Sequence, residues 1–468
     1  MSNDNELGGM RRKVRSIHFV GIWMSGIAEV LINLGYDVTG SDLAATDITQ
    51  RLAGLGARIF SGHQAANLIS ADVVVTSTAV KADNPEVQEA HRRNIPVIPR
   101  AEMLAELLKM KMSVAVSGSH GKTTTTSMIA TVLATGGLDP TMVIGGKLAS
   151  IGSNAKIGDG EVIVAEADES DGSFLKLSPS LAVITNIDLE HLDYYRDIEE
   201  IRAAFLTFAN IVPFYGVTVI CFDDKNVQAI LPLIKRRFIT YGLSAGADYR
   251  ADNIVYAGRG SRFSVFYRDE LLGEVVLNVP GLFNILNSLA AVAVGRELDM
   301  PFPAITEGLR HFLGVHRRLE LQGEINGITV LDDYGHHPTE IRATLAAVRQ
   351  AWGGRIIVVF QPHRYTRTKA LFEEFQTAFA DADILLVMDI YPAGETAIPG
   401  ISAPLLCEGI RVKGRINAVY LGDFDAAVSY LMEKSGSGDV IVTLGAGSVW
   451  KVGKSFLAEA EAKAGERV

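Results

Sequence analysis

Short, β-branched apolar runs alternate along this chain with longer segments of helical periodicity. Apolar runs of this length are typical of buried strands, and helices between successive strands are typical of parallel crossovers. The alternation therefore predicts an α/β fold with mostly parallel sheets. The clearest strand candidates are residues 16–20, 72–77, 113–118, 161–167, 181–186, 217–222, 328–333, 355–361, 383–389 and 439–445, and the clearest helix candidates are residues 101–110 and 370–380.

Polar, glycine-rich or histidine-containing clusters directly follow many of these strand candidates. In open α/β sheets, ligands bind beyond the carboxyl ends of the strands, so these clusters are where function is expected. A charged helical segment ends near residue 110 before a new strand, and a second junction lies near residue 320. We therefore expect domains at residues 1–110, 111–319 and 320–468.

The composition excludes several classes of protein. A length of 468 residues suggests two to four domains, and a net charge of −10 argues against a protein that binds nucleic acid through its phosphates. Two cysteines are too few for a disulfide framework and indicate buried thiols in a reducing compartment. No run of about 18 apolar residues predicts a membrane span, and residues 1–13 lack a signal-peptide core. We expect a cytoplasmic protein, and the sequence makes no prediction of its oligomeric state.

The strongest functional pattern is the segment 113–130, SVAVSGSHGKTTTTSMIA. Residues 118–123 resemble a phosphate-binding loop, although the loop is shorter than the Walker pattern. Its glycines let backbone N–H groups turn toward phosphate oxygens, and the helix N-terminus adds positive potential. Lys122 would neutralise the β and γ oxygens, while a hydroxyl of Thr123 or Thr124 would complete Mg²⁺ coordination. The alternative is a glycine-rich strand–helix turn that carries a chance lysine.

Acidic residues lie at the ends of the next two strand candidates. A carboxylate of the cluster 166–171, EADESD, would hold Mg²⁺ beside a triphosphate, and the alternative is a solvated acidic loop. His191, in the segment 185–191, is a candidate ligand for Mg²⁺ or Mn²⁺ beside that carboxylate. A structural histidine is the alternative there.

Two further clusters follow strands in the last third of the chain, at residues 332–338 (DDYGHHP) and 361–367 (QPHRYTR). Arg364 and Arg367 are three residues apart, so both could project from one turn and hold a carboxylate or a developing oxyanion. The alternative is a salt-bridged surface with a histidine pair that caps a helix.

The first strand candidate leads into the loop 21–26, GIWMSG, and the next turn is TGSD at residues 39–42. This pattern is typical of half a dinucleotide-binding unit, in which Asp42 would contact a ribose. Trp23, however, stands where a backbone should approach a diphosphate closely. The residues of this loop therefore favour a structural turn and a nucleotide site equally.

Taken together, these motifs resemble the Mur ligase family almost from end to end. The resemblance rests on SIHFVGI, SGSHGKTTTTSMIA, VAEADESDGSF, TNIDLEHLDYY, GVHRRLE, DDYGHHPTEI, FQPHRYTRT and DIYPAGE. It implies three domains: an N-terminal Rossmann-like domain that binds a uridine nucleotide, a central P-loop ATPase-type domain with a parallel sheet, and a C-terminal Rossmann-like domain. Two departures stand out: the first glycine loop is about three residues shorter than the family pattern, and Phe283 stands where relatives often have histidine.

The resemblance also implies roles for individual residues. ATP would be bound by Gly118, Ser119, His120, Gly121, Lys122, Thr123, Thr124, Asn284, Asp333 and Arg317 or Arg318. Magnesium would be bound by Thr123 or Thr124, Glu166 and His191. The first substrate would be bound by Gly21, Ser25, Gly26, Ser41 and Asp42, and the muramoyl carboxylate and incoming amine would be bound by Tyr334, His336, Arg364 and Arg367. Lys122, His336, Arg364 and Arg367 would be the catalytic residues.

The resemblance is strongest to the alanine-adding members of the family, because of the segment EADESDGSF. It implies ATP-dependent addition of L-alanine to UDP-N-acetylmuramate through an acyl phosphate, in the synthesis of peptidoglycan precursors. Two alternatives remain open. One is a nucleotide-binding homologue that has lost ligation through its altered first loop, and the other is a ligase for a different acceptor, such as a murein peptide.

Overall fold

Three β-sheets, each covered by helices, follow one another along the chain in this computed structural model. The structure describes residues 14–21, 25–77, 80–148, 153–414 and 416–465. The predicted α/β class with mostly parallel sheets is confirmed, because parallel pairing joins the strands at the centre of every sheet. Within the described residues, no helix is long and apolar enough to cross a membrane.

The N-terminal sheet is five-stranded and wholly parallel, in the order β3-β2-β1-β4-β5. The strand order reverses beside β1, which is where a crevice opens for ligands in such sheets. The strands are β1 Ser16–Val20, β2 Asp37–Asp42, β3 Arg58–Ser61, β4 Val73–Thr76 and β5 Val97–Pro99; the helices are α1 Ser25–Asn33, α2 Asp47–Gly54, α3 Pro85–Arg92 and α4 Arg100–Leu108.

The central sheet has ten strands in the order β15-β14-β13-β12-β11-β10-β6-β9-β7-β8, with antiparallel hairpins only at its two ends. The strands are β6 Met112–Ser117, β7 Thr141–Leu148, β8 Ser153–Lys156, β9 Val162–Glu166, β10 Leu181–Ile184, β11 Val217–Cys221, β12 Phe238–Gly242, β13 Tyr249–Ala257, β14 Gly260–Tyr267 and β15 Glu270–Leu277. The helices are α5 Lys122–Thr135, α6 Ile198–Asn210, α7 Lys225–Ile230, α8 Leu282–Glu297 and α9 Phe302–Arg310.

The C-terminal sheet has six strands in the order β16-β17-β21-β18-β19-β20, and only the edge strand β16 runs antiparallel. The strands are β16 Glu320–Ile325, β17 Ile328–Asp333, β18 Ile356–Phe360, β19 Ile384–Met388, β20 Asn417–Gly422 and β21 Val440–Leu444. The helices are α10 Pro338–Trp352, α11 Tyr365–Ala370, α12 Phe372–Phe375, α13 Ala403–Gly414, α14 Phe424–Lys434 and α15 Trp450–Gly465.

All ten strand candidates from the sequence coincide with strands of the structure, because each is an apolar run that is buried on both faces. The single helix predicted over residues 370–380 is wrong. The backbone there forms the four-residue helix α12 and then turns with a three-residue hydrogen-bond spacing, as from Ala378 N to Phe375 O. The carbonyl of Glu374 also accepts from the Arg342 side chain.

Candidate active site

The loop between β6 and α5 has the geometry of a phosphate-binding turn. Gly118 and Gly121 adopt φ angles of +139° and +83°, which L-residues rarely enter. A Cβ on Gly121 would lie 2.9 Å from Asn287 Oδ1, so a larger residue does not fit there. Gly121 precedes Lys122 at the start of α5, where the first backbone N–H groups have no partner within the helix. The turn therefore presents the positive end of a helix dipole.

This turn is tied to the loop that follows β10. The backbone N–H of Ser119 donates to the Asn186 carbonyl over 3.2 Å, and that of His120 donates to Asn186 Oδ1 over 2.8 Å. The Thr185 hydroxyl donates to the His120 carbonyl over 2.5 Å. The two loops therefore form one unit at the carboxyl edge of the central sheet.

Lys122 is a buried cation that reaches back over the turn. Its Nζ donates to Glu169 Oε1 over 2.6 Å and to the Gly118 carbonyl over 2.7 Å. Although burial opposes a charged amine, the carboxylates of Glu169 and Glu166 hold the pKa of Lys122 above its ordinary value. The ammonium therefore stays charged at neutral pH, as neutralising phosphate oxygens requires.

The predicted metal ligands fall into two neighbouring groups. The Thr123 hydroxyl donates to Glu166 Oε2 over 3.0 Å. His191 Nε2 instead lies 3.3 Å from Glu169 Oε1 and 3.8 Å from Glu190 Oε2. Glu169 Oε2 is buried and has no hydrogen-bond partner within the described residues, and ligand atoms of Glu169, Glu190 and His191 lie within 4.8 Å of one another. An orphaned carboxylate oxygen beside an imidazole and a second carboxylate fits a divalent cation.

A cavity of about 840 Å³ lies between the central and C-terminal parts of the molecule. That volume is within the range of small-molecule and cofactor sites. Six of the residues predicted from the sequence line it: His120, Gly121, Thr124, Asn284, Arg318 and Asp333.

Asn284 and Phe283, at the start of α8, form one wall of this cavity. Asn284 Nδ2 donates to the Pro280 carbonyl over 2.7 Å, and its Oδ1 accepts from Asn287 Nδ2 over 3.4 Å. An aromatic ring beside an amide suits a planar heterocyclic base, since one can stack and the other can hydrogen-bond. Asn287 also lines the cavity and was not predicted from the sequence.

The two arginines of the domain junction have different partners. Arg317 donates to Asp332 Oδ2 over 2.9 Å and to two backbone carbonyls of the loop 445–447. Arg318 lines the cavity instead. Both guanidinium groups lie over the Tyr334 ring, 5.0 and 5.3 Å from its centroid. Between the two alternatives, the structure places Arg318 in the cavity and Arg317 in the support of the junction.

Asp333, at the end of β17, is a buried acid that lines the cavity. Its carboxylate accepts from the backbone N–H groups of Leu319 and Gly335, each over 2.7 Å. Burial raises the pKa of Asp333 to about 6, even though Arg318 favours the charged form. Asp333 therefore joins the domain junction to the turn that carries His336.

His336 is held as a neutral imidazole. Its Nδ1 lies 3.0 Å from the Tyr334 carbonyl, which can only accept, so Nδ1 carries the proton and Nε2 carries a lone pair. Burial and the charge of Arg367 lower the pKa of His336 to about 4. Nε2 is therefore unprotonated throughout the neutral pH range.

Arg364 and Arg367 do not converge on one point. Arg367 Nη1 lies 3.2 Å from His363 Nδ1, and the His363 ring stacks on Tyr391 with centroids 5.5 Å apart. Arg364 adopts a φ of +69° and directs Nη1 to within 3.6 Å of Asp193 Oδ2, across the boundary to the central part. The alternative of a salt-bridged surface therefore describes Arg364 in part, while Arg367 lies beside the histidines.

The phosphate-binding turn also contacts the C-terminal part directly. His120 Nε2 lies 3.0 Å from Asp188 Oδ2, and the Thr339 hydroxyl donates to the same oxygen over 2.8 Å. His120 Nδ1 lies 3.6 Å from Glu340 Oε1. His337 Nδ1 lies 3.6 Å from Asp188 Oδ2 and completes the group. We call these five residues the seam cluster: His120, Asp188, His337, Thr339 and Glu340.

Charges are distributed unevenly within the seam cluster. Burial opposes a charged His120 ring, but the carboxylates of Glu190, Asp188 and Glu340 raise the pKa of His120 to about 10. Burial and the neighbouring His120 lower the pKa of His337. The seam cluster therefore contains one imidazolium, ringed by carboxylates, and one neutral imidazole.

The predicted first substrate loop is described only in part. Residues 22–24, which include Trp23, and the side chain of Ser25 lie outside the described residues. Gly21 has a φ of +81° and donates its N–H to the Ser41 carbonyl over 3.0 Å, while Gly26 is buried in α1. Asp42 Oδ1 accepts from the Ala44 backbone N–H at the end of β2. The Ser41 side chain is fully buried against Glu86, so it turns inward rather than toward the crevice.

Sequence reasoning missed several residues that the structure places in these groups: Asp188, Glu190, Asn287, Thr339, Glu340 and His363. Glu169 belongs to the acidic cluster predicted to supply a metal-binding carboxylate, and His337 caps α10, as the alternative interpretation of the histidine pair predicted. All of them belong to motifs that were singled out or stand within three residues of a predicted one. Their residue types suited a site, but only the folded chain shows which of them face one another.

Comparison with known proteins identifies the Mur ligase family along most of the chain. The profile of the Mur ligase family catalytic domain matches residues 13–112, that of the Mur ligase middle domain matches residues 116–295, and that of the Mur ligase glutamate ligase domain matches residues 317–447.

Individual relatives cover nearly the full length. The UDP-N-acetylmuramate–L-alanine ligase of Syntrophus aciditrophicus is 66% identical over 451 residues, which are 96% of this chain and 94% of that protein. The protein of the same name from Syntrophotalea carbinolica is 59% identical over 450 residues, or 96% and 98% of the two chains. The crystal structure of the UDP-N-acetylmuramate–alanine ligase of Thermotoga maritima aligns with a TM-score of 0.80 at 29% identity, over 96% of this chain and 99% of that one. With its motifs, its three sheets and its relatives in agreement, the chain belongs to the Mur ligase family.

Proposed function

We propose that this chain is an ATP-dependent carboxylate–amine ligase that adds L-alanine to UDP-N-acetylmuramate in the synthesis of peptidoglycan precursors. The observation that carries the proposal is the contact between the phosphate-binding turn and the turn of His336 and His337. It brings a site for activating a carboxylate next to a neutral base for an amine. The relatives that carry this activity in their names support the same reaction.

The proposal assigns one task to each part of the chain. Residues 1–110 bind the uridine nucleotide, residues 111–319 bind ATP, and residues 320–468 close over the site with the groups for the amine. Gly21, Ser25, Gly26 and Asp42 are proposed for the first substrate, whereas the Ser41 hydroxyl turns inward to Glu86. The cytoplasm is the proposed compartment, since Cys221 and Cys407 are both buried free thiols.

Activation of the acid is the first chemical difficulty. A carboxylate resists attack by an amine, because attack adds charge to an anion and would have to expel oxide. Transfer of the γ-phosphoryl group of ATP to the muramoyl carboxylate gives an acyl phosphate with a good leaving group. Lys122 and the N-terminus of α5 stabilise the charge that gathers on the phosphate oxygens during transfer.

The carboxylates and His191 of the central part fit a magnesium ion, with Mn²⁺ as the alternative. Thr123 and Glu166 form one pair of ligands, and His191 with Glu169 and Glu190 forms the neighbouring group. A bound divalent cation would neutralise phosphate oxygens and orient them for in-line transfer. Lys122 lies against Glu169, so nucleotide binding would exchange this ion pair for contacts with phosphate.

Attack by the amine is the second step. L-Alanine must lose a proton from its ammonium group before its nitrogen can attack the acyl phosphate. His336 Nε2 is the proposed acceptor, because the Tyr334 carbonyl fixes the proton on Nδ1. Arg367, beside His363, and Arg364, with Tyr334, are proposed to hold the carboxylates of the two substrates. The tetrahedral intermediate then collapses to the amide and inorganic phosphate.

Oxygen transfer tests this mechanism directly. UDP-N-acetylmuramate labelled with ¹⁸O in its muramoyl carboxylate is incubated with ATP, Mg²⁺, L-alanine and the enzyme. An acyl-phosphate route passes one labelled oxygen into the released phosphate, which mass spectrometry detects. The Lys122→Ala variant should release no labelled phosphate.

Each alternative predicts a different result. ATP binding without phosphate release that depends on both acceptor and alanine would identify a nucleotide-binding homologue. Ligation of a murein peptide in place of L-alanine, in a panel of amine substrates, would identify a ligase for another acceptor. Release of phosphate without label would exclude the acyl-phosphate route.

A further inference from the structure

A buried carboxylate organises the N-terminal sheet at a distance from the site described above. Glu86, on the first turn of α3, is fully buried. Its Oε2 accepts from the Ser41 hydroxyl over 2.5 Å, and its Oε1 accepts from Asn67 Nδ2 over 2.6 Å. The backbone N–H of Gln64 also donates to Oε1, over 3.3 Å. His18 Nε2, in β1, lies 3.5 Å from Oε2.

This carboxylate is charged. Burial opposes the charge, but the nearby His18 ring and hydrogen bonds from Ser41 and Asn67 lower the pKa of Glu86 to about 2. A buried carboxylate with so many donors joins elements that are distant in sequence. Here it joins the end of β2, the loop after β3 and the start of α3.

A hydrogen-bond relay extends from Glu86 toward solvent through Ser41 to His63. The Ser41 hydroxyl has one proton, which it donates to Glu86, so it must accept from His63 Nδ1 at 2.9 Å. His63 Nδ1 also lies 3.5 Å from Glu86 Oε2, so the carboxylate favours a proton on the same nitrogen. In the neutral ring, Nδ1 then carries the proton and Nε2 carries a lone pair. His63 is 17% exposed, whereas Glu86 is fully enclosed, so the relay ends at the surface.

The position of His63 in the sheet indicates which kind of ligand its Nε2 lone pair would meet. In nucleotide-binding sheets of this topology, the crevice lies beyond the carboxyl ends of the strands, and the end of β2 faces the ribose. His63 follows β3, next to β2, where the base of a nucleotide would extend. Uracil presents an N3–H donor, and cytosine presents an unprotonated N3 at the same place.

We propose that Glu86 is a positioning residue which, through Ser41, fixes His63 in the Nδ1–H form, so that His63 Nε2 accepts a hydrogen bond from the imide N–H of a uracil base. The inference rests on the proposed function, since it assigns a specificity contact within the uridine nucleotide site. Asn67 supports the same loop by donating to both the Gly62 carbonyl and Glu86.

Kinetics and nucleotide binding test the contact. In His63→Ala, we expect the KM for UDP-N-acetylmuramate to rise about tenfold, the value of one well-placed hydrogen bond, with kcat and the KM for ATP unchanged. Calorimetry should show that His63→Ala loses affinity for UDP while its weaker affinity for CDP does not change. His91→Ala, on the exposed face of α3, is the matched control and should behave as the wild type.

The positioning role of Glu86 needs its own measurement, because Glu86→Gln could fail to fold. Ser41→Ala removes the 2.9 Å partner of His63 Nδ1 and leaves it only the Glu86 oxygen at 3.5 Å, and Ser41→Thr restores the hydroxyl. Nitrogen-15 NMR should show the Nδ1–H form of His63 in the wild type at pH 8, a mixture of both neutral forms in Ser41→Ala, and recovery in Ser41→Thr.

The outcomes separate the inference from the proposed function. Wild-type turnover with unchanged KM and unchanged UDP affinity in His63→Ala would overturn the inference and leave the function in place. Equal losses of UDP and CDP affinity would overturn the base contact, and an Nε2–H form in the wild type would overturn the relay. A wild-type protein that binds neither UDP nor UDP-N-acetylmuramate would overturn both.

Discussion

His120 and His336 stand on opposite sides of the boundary between the central and C-terminal parts, and their environments are opposite as well. Carboxylates surround His120 and raise its pKa to about 10, whereas burial and Arg367 lower the pKa of His336 to about 4. One ring is an imidazolium and the other is a neutral base at the same pH. Residue type alone would give them the same charge.

The difference between the two histidines agrees with the function that we propose for each side of the boundary. The side proposed to bind ATP and a metal ion contains many carboxylates, and Lys122 and His120 offset part of their negative charge. The side proposed to bind the amine contains arginines that suit carboxylates, and burial together with the charge of Arg367 keeps His336 unprotonated. A neutral imidazole therefore lies across one boundary from an acidic group that we propose as the metal site. The predictions below test this contrast, in order of expected effect.

The largest effect is expected at Lys122. We expect Lys122→Ala to lower kcat by about 10³-fold or more, because the charge that stabilises phosphoryl transfer is lost. Phosphate release with saturating substrates measures this. Lys109→Ala, exposed at the residue that follows α4, is the control. Circular dichroism should show an intact fold, and turnover at the wild-type rate would contradict the role of the turn.

The second effect concerns His336. His336→Ala should lower kcat by about 10²-fold, the usual contribution of a general base. In Arg367→Gln, the pKa of His336 should rise from about 4 toward its ordinary value of 6.5, because a neighbouring positive charge is removed. A nitrogen-15 NMR titration measures this shift. An unchanged pKa in Arg367→Gln would show that burial alone keeps the ring neutral.

The third effect is on stability, at His120. Its folded pKa of about 10 lies above its ordinary value of 6.5, so its stabilisation is complete below pH 6.5 and is lost as the pH rises toward 10. His120→Gln should therefore lower Tm more at pH 6 than at pH 10. Thermal melts across this range measure the difference, with exposed His311→Gln as the control. Parallel curves for wild type and His120→Gln would contradict the charged state.

The smallest effect is expected at Thr339, whose hydroxyl bonds to Asp188 across the boundary. Thr339→Val should raise the KM for ATP by about fivefold, since one hydrogen bond contributes about 1 kcal/mol. Thr339→Ser keeps the hydroxyl and should restore the wild-type value. A Thr339→Ser variant as impaired as Thr339→Val would show that the methyl group, not the hydroxyl, matters.

Some elements of the fold were predictable from the sequence and others were not. The turn from Gly118 to Lys122 was predicted with its following helix, because glycine positions and strand periodicity are local properties. The ten strand candidates were found for the same reason. The single helix over 370–380 was wrong, because the helical run breaks at Leu371 and the chain turns after Phe375, which the apolar periodicity of the segment does not reveal. The antiparallel strands β13–β15 were missed because their exposed faces interrupt the apolar runs.

Sequence alone determined the class of the fold, ten of its strands and the glycine turn that precedes α5, since short-range periodicity and backbone freedom carry that information. Only the tertiary structure decided that Arg318 rather than Arg317 reaches the cavity, that Ser41 turns inward to Glu86, and which histidines carry charge. These outcomes depend on burial and on neighbours from distant segments. Electrostatic energies are set by distances through the folded protein, which no local pattern contains.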